Sequence, residues 1–332
     1  MKFSIVIATY KRADVLKDTL DSLARLQPGA PWEVIVVDNN SPDHTRQVVE
    51  AAMPTYPVPL IYAFEQEQGR SAALNCGFKI AKGEIIVTTD DDVRVEADWL
   101  NAIEAGLSAQ DCDYVGGRVI PLWDGERPRW LPKTNGQLWA VIALLDYGKE
   151  PMKFGKRVPL GVNMAMRREA IDRVGGFDVR IGRKAGTLLG QEVREWCIRA
   201  HAAGLTGYYI PTLVVQHLIP RDRLTKEYFR RWFLWRGISR AMLYAETGLD
   251  MEKPEQSTLD FANVPHIAGV PRYMFRSALV ALKDSIVAAV KRDPVTSFER
   301  ELWLWFFAGV VKQRWKDRQR PYRTVKVATT GL

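Results

Sequence analysis

Between residues 3 and 89 the chain repeats one pattern, a short unbroken apolar run followed by a stretch with helical spacing. Phe3 to Ala8, Glu33 to Val37, Leu60 to Ala63 and Glu84 to Thr89 read as strands. Asp14 to Leu26, Thr45 to Ala52 and Ser71 to Ala81 read as helices, with prolines at 54, 57 and 59 ending the second and Gly83 following the third. Apolar runs without alternation mark strands buried on both faces, which are parallel strands under helices. The expected fold class is therefore α/β, a Rossmann-like, mostly parallel sheet flanked by helices.

In such sheets ligands sit beyond the carboxyl ends of the strands. The segments that follow the strands here are Thr9-Tyr10-Lys11-Arg12, Asp38-Asn39-Asn40-Ser41 and Asp90-Asp91-Asp92. Three successive acids at a strand mouth are unfavourable unless something positive binds there. In an extended segment Asp90 and Asp92 point the same way. Hard carboxylate oxygens suit Mg²⁺ or Mn²⁺ with substrate phosphates. Asp38 follows its strand directly and could accept from a base imino group or a ribose hydroxyl; a turn or helix cap is the other reading.

The segments FSIVIATYKRADVLKDTLDSL, EVIVVDNNSPDHT, GRSAALNCGFKIAKGEIIVTTDDDV, GVNMAMRREAIDRVGGFD, QEVREWCIRAHAAG and VVQHLIP occur in that order over about residues 3–220. In this the chain resembles the family 2 glycosyltransferases, with their GT-A nucleotide-sugar fold. The resemblance implies transfer of a sugar from a nucleoside-diphosphate sugar, with UDP as the expected nucleotide, to an acceptor hydroxyl with inversion. It implies that Thr9, Tyr10, Arg12 and Asp38 surround the nucleotide and that Asn75 belongs to the donor-site helix. Asp90 and Asp92 would be the carboxylates for metal and ribose, with Asp91 sharing that work. A nucleotidyltransferase is the rival of the same plan, but it needs a Gly-rich loop after the first strand, where this chain reads Ala-Thr-Tyr-Lys-Arg. A non-catalytic nucleotide- or glycan-binding relative is the other.

In the family the base sits in a Glu-Asp pair opening the helix after the GGFD segment. Here that place reads Gly190-Gln191-Glu192-Val193-Arg194-Glu195. Counting back from Cys197 and Gly204, Val193 falls where Asp is common; counting forward from Gly190, Glu192 does. Glu192 is the expected base, and Glu195 has the spacing to pair with Arg199. His217, after another strand-like run, is either a ligand near Asp92 or a buried imidazole donating to a carbonyl. Arg70 would face the diphosphate or cap the turn at Gly69. Asn163, in Gly161-Val162-Asn163-Met164, is expected near the donor sugar or acceptor.

The stretch from about 110 to 220 is less regular, with Gly116-Gly117, a Pro/Trp-rich part to Pro132 and one firm helix from Gln191 to Ala203. From about 221 to 332 the chain is helical, aromatic and basic. Arg272, Arg276, Lys283 and Lys291 are expected on one helical face, opposite Met274, Leu279, Ala281 and Val290. Leu302 to Val311 is aromatic and apolar, and Lys312, Arg314, Lys316, Arg318 and Arg320 follow. Such helices either lie peripherally on a membrane or pack on the catalytic domain or a homodimer partner. The net charge of +8 suits anionic partners. No nucleic-acid module accompanies the basic helices, which argues against nucleic acid.

Cys76, Cys112 and Cys197 are sparse and unpaired in sequence, as in a reducing cytosol. The N-terminal apolar run lacks a cleavage-site pattern, so no signal peptide is expected. No apolar stretch approaches the roughly 20 residues of a membrane span. The expected place is the cytoplasm, or the cytoplasmic face of the inner membrane, with a glycan or polyprenyl-linked acceptor.

Overall fold

The computed structural model describes residues 1–133, 138–247 and 264–318. It divides into two compact units. The first comprises residues 1–123, 143–185 and 192–219; the second takes in 124–142, 186–191 and everything from 220 onward.

The first unit opens as the apolar pattern requires: β1 (Phe3–Thr9), α1 (Ala13–Leu23), β2 (Trp32–Asp38), α2 (Thr45–Ala52), β3 (Leu60–Phe64), α3 (Arg70–Ile80) and β4 (Ile85–Thr89). It continues through β5 (Val93–Val95), α4 (Trp99–Ala109), β6 (Tyr114–Trp123), β7 (Met152–Lys153), β8 (Met164–Arg167), α5 (Arg168–Val174), α6 (Glu192–Ala202) and β9 (Gly207–Ile219). The sheet order is β3-β2-β1-β4-β8-β6-β9-β5, with β7 also on β9. β1, β2, β3 and β4 are mutually parallel; burial on both faces explains the unbroken apolar runs of β1, β2 and β4, while β3, at the sheet edge, is only partly buried.

Beyond β4 the sheet is mixed. β8 runs antiparallel to both β4 and β6, β6 and β9 are parallel, and β5 and β7 are antiparallel to β9. The stretch that reads as irregular in sequence therefore holds two long strands. Gly116-Gly117 belongs to β6, where a Cβ on Gly117 would meet the Leu213 carbonyl of β9. The glycine allows the strands to approach at the register shift between Gly117 and Arg118.

The second unit is helical: α7 (Lys226–Thr247), α8 (Arg272–Val290) and α9 (Pro294–Lys316). The Asp293 carboxylate caps α9 by accepting from Thr296 N at 3.0 Å, and Pro294 fills the first helical position, where no amide donor is needed. α7 and α9 touch backbone to backbone. A Cβ on Gly309 would land on the Leu234 carbonyl, and one on Gly237 on that of Phe306. Phe229 of α7 and Phe298 of α9 enclose Trp130, with ring centroids 4.9 and 5.0 Å from it.

The run from Leu302 to Val311 is divided, with Leu302, Phe306 and Val310 buried as in helices that pack together and Trp305 39% exposed. Arg314 is buried too, donating from Nε to the Gly269 carbonyl at 3.1 Å, while Lys312, Lys316 and Arg318 are exposed. Arg320 lies outside the described residues. On α8, Met274 and Ala281 are buried as expected, but Leu279 and Val290 stand 69% and 80% exposed among the cations. At about 100° per residue Leu279 lies some 40° from Lys283, so the two share a face.

Candidate active site

The parallel registers bring the functional segments to one edge. Thr9 pairs with Asp38 across β1 and β2, and Ile7 pairs with Thr89 across β1 and β4. All three strands end there, and the acid triplet leaves β4 at the same level. The triplet is a turn rather than an extended segment. It is pinned on its far side by β5, where Val93 pairs with His217 and Leu218 N donates to the Asp92 carbonyl at 2.9 Å.

The turn divides the carboxylates between two clusters, with Asp92 taking part in both. Asp91 is buried and accepts from Thr9 Oγ1 at 2.7 Å and Arg12 Nη1 at 2.7 Å. The same Arg12 nitrogen lies 2.6 Å from Asp92 Oδ2. Burial pushes the Asp91 carboxyl up, opposed by Arg12 and reinforced by neighbouring Asp92. Burial also works against the Arg12 charge, but Asp91 and Asp92 outweigh it and hold the guanidinium more firmly protonated than usual. Thr19 Oγ1 of α1 donates to the Asp91 carbonyl and accepts from Val93 N, fixing the turn from behind.

Asp90 and Asp92 converge with His217. Each offers one ligand atom, and those atoms lie within 4.8 Å of one another. His217 is 1% exposed, its Nε2 lies 3.2 Å from Asp92 Oδ1, and its Nδ1 has no hydrogen-bond partner among the described residues. Among the described residues its ring makes no bond to a carbonyl, and its one side-chain partner is Asp92. Two carboxylates and an imidazole suit Mn²⁺ or Mg²⁺ with room for phosphate oxygens. The site passes the chemical test for a divalent ion.

Arg70, the first residue of α3, joins this cluster to the expected base. Its Nη2 and Nε donate to Asp90 Oδ1 at 2.7 and 3.1 Å, and its Nη1 lies 3.4 Å from Glu192 Oε1. Burial disfavours the guanidinium charge, yet Asp90 and Glu192 raise its basicity above the ordinary value. Gly161 makes room: a Cβ there would lie 2.9 Å from Arg70 Nη1. Glu192 opens α6 and is 7% exposed, and its Oε2 has no hydrogen-bond partner among the described residues. Glu195 points elsewhere, bound to Arg199 at 2.6 and 2.8 Å.

Asp38 is held ready on the other side. Its Oδ1 accepts from Ser41 N at 2.9 Å and its Oδ2 from the Tyr62 hydroxyl at 2.9 Å. Burial and that bond push the Tyr62 hydroxyl up to about 12, so it remains a donor. Tyr62 escapes a sequence reading because its partner is set by the register of β2 and β3, in which Val36 pairs with Tyr62 and Asp38 lies two residues on, on the same face. Tyr10 is 39% exposed at the rim.

Two expected site residues act as clasps. Asn75 of α3 accepts from Phe177 N and donates to Phe177 O, both at 2.8 Å. It ties α3 to the Gly175-Gly176-Phe177-Asp178 segment. Asn163 is fully buried, accepting from Trp99 Nε1 at 3.1 Å and donating to the Arg118 and Leu213 carbonyls. Its amide is engaged within the core, where it knits sheet to helix.

The sequence pattern described as Glycosyl transferase family 2 matches residues 4–175. A glucosyl-dolichyl phosphate glucuronosyltransferase of Haloferax volcanii is 26% identical over 253 residues, covering 73% of this chain and 77% of the relative. The glycosyltransferase AglE of the same organism is 26% identical over 232 residues, covering 68% and 70%. The mannosyltransferase PcManGT of Pyrobaculum calidifontis, solved with GDP-Man and Mn²⁺, shares the fold with a TM-score of 0.63 at 19% identity, over 95% of this chain and 87% of that one.

Proposed function

The chain belongs to glycosyl transferase family 2 and has a GT-A-like fold, and on that footing we propose that it transfers a sugar, with inversion, from a UDP-sugar to a hydroxyl of a lipid-linked glycan. The observation that carries this reading is the Arg70 bridge, which joins the acid cluster to a buried carboxylate with one free oxygen.

In the proposed reaction Asp38, oriented by Tyr62 and Ser41, accepts from the base or ribose of the nucleotide. Thr9, Tyr10 and Arg12 line the same edge. Asp90, Asp92 and His217 would hold a divalent ion, which when bound would supply positive charge against the departing diphosphate. Arg70 and Arg12 face the diphosphate as further cations. The acceptor oxygen attacks the anomeric carbon from the side opposite the diphosphate, and its proton passes to Glu192 Oε2. The bond from anomeric carbon to phosphate oxygen breaks, and its electron pair leaves with the diphosphate.

A lipid-linked acceptor is supported by the relative named for a glucosyl-dolichyl phosphate substrate. No helix among the described residues is long and apolar enough to cross a membrane. The acceptor would then be met by peripheral contact, at the cytoplasmic face of the membrane.

Thermal unfolding with UDP or GDP, in Mn²⁺, Mg²⁺ or EDTA, tests the donor site. A ligand that binds only the folded state raises the midpoint by mass action. The midpoint is expected to rise with UDP and a divalent ion, and to return with EDTA. A well-folded sample that responds to no nucleoside diphosphate would sink the proposal, and a response to GDP alone would change the donor.

A further inference from the structure

Exposed aliphatic side chains normally occur singly on a soluble surface. Among the described residues, six of the fourteen large hydrophobic residues that stand exposed fall on one helix, α8: Leu279, Val280, Leu282, Ile286, Val287 and Val290. The helix has the other half of its surface in place, since Met274, Ala281 and Ala288 are buried. Its outward half is thus neither core nor the polar face expected of a surface helix.

The charges on that outward half have one sign. Arg272, Arg276 and Lys283 are exposed on it, and Lys291 is exposed at its C-terminal edge. The acids nearby are engaged: Asp284 lies 4.0 Å from Arg300, and Asp293 caps α9. At about 100° per residue Leu279, Ile286, Val290, Arg276 and Lys283 share a sector of roughly 80°. Apolar and cationic groups are therefore interleaved on one surface about 28 Å long.

We propose that the outward face of α8 is a docking surface for an anionic lipid bilayer, lying in the headgroup region with its aliphatic side chains in the acyl boundary. Interleaved aliphatic and basic side chains match that layer, in which apolar chains begin just beneath negative headgroups. A second copy of the chain fits less well. A symmetric dimer through this face would set these cations against their own images. The surface rests on the proposed lipid-linked acceptor for its purpose, but its test needs lipid alone.

The test is sedimentation of the full-length protein with vesicles of phosphatidylcholine, with and without phosphatidylglycerol. The protein is expected to sediment with the anionic vesicles, less so at high salt, and not with phosphatidylcholine alone. Leu279→Asp/Ile286→Asp/Val290→Asp is expected to weaken vesicle binding on the order of a hundredfold. Arg276→Glu/Lys283→Glu/Lys291→Glu should do the same through charge. All six positions are exposed, so both variants should melt like the parent. UDP binding with Mn²⁺ should also be unchanged, and its absence in the parent would count against the donor site and not against this surface. Wild-type protein that ignores anionic vesicles, or triple variants that still sediment as wild type, would overturn the inference. So would an aspartate variant that turns a dimer into a monomer in analytical ultracentrifugation while vesicle binding stays the same.

Discussion

Glu192→Gln should slow sugar transfer by about 10²- to 10⁴-fold, the usual worth of a positioned general base. The substitution keeps the shape of a side chain that is 7% exposed, and it keeps an oxygen for Arg70, which lies 3.4 Å from Glu192 Oε1. It removes the negative charge and with it the ability to take a proton, while Arg70 keeps Asp90 as its closer counter-ion. The loss should therefore fall in kcat, with donor affinity changed a few-fold at most. Glu195→Gln is the control. That carboxylate is bound to Arg199 within α6, so its loss should lower the melting point slightly and leave the rate alone. Labelled-sugar transfer to a lipid extract, with donor binding measured by calorimetry, separates the two. If the Glu192→Gln enzyme turns over at the parent rate, the base is another group.

Asp92→Asn should reduce UDP affinity in Mn²⁺ to that seen in EDTA, a loss of about two orders of magnitude, since charge stabilisation by a bound ion is worth several kcal/mol. Asp92 is the carboxylate nearest His217, at 3.2 Å, and it also pairs with Arg12 at 2.6 Å. Asparagine is chosen over alanine because the position is buried and an empty space there would disturb the turn. Arg12 keeps Asp91 as its partner, so the folded state should persist, and melting without metal or nucleotide checks that it does. UDP titrations of a folded Asp92→Asn protein that match the parent in Mn²⁺ would remove Asp92 from the metal site.

The sequence reveals the parallel half of the sheet well, because strands covered on both faces leave continuous apolar runs. It hides the mixed half. β9 alternates buried and half-buried residues over its length and carries Gln216 and His217, and β6 is interrupted by the glycines that its neighbour demands. The acid triplet and Asp38 could be read from their places after strands. The Arg70–Glu192 pair could not, since 122 residues separate its members and α3 meets α6 only in the folded chain. The last third misleads for another reason. Apolar runs look alike whether they line a helical core, as Leu302 and Phe306 do, or face outward, as Leu279 and Ile286 do.

Before any ligand arrives, Arg12 and Arg70 are the counter-ions of the acid cluster. A divalent ion entering alone must compete with two fixed guanidinium groups for the same oxygens, and should bind weakly. Once a diphosphate is present those guanidinium groups have phosphate oxygens to turn to, and the carboxylates are released to the metal. Metal and nucleotide should thus behave as each other's effectors, each raising the other's affinity by one common factor, of about 5- to 150-fold for a typical coupling. Mn²⁺ titrations with and without UDP, compared with UDP titrations with and without Mn²⁺, measure that factor twice; a factor of one would mean that the arginines stay where they are. Such a site senses nucleotide and ion together, and remains largely unloaded when a cell supplies only one of them.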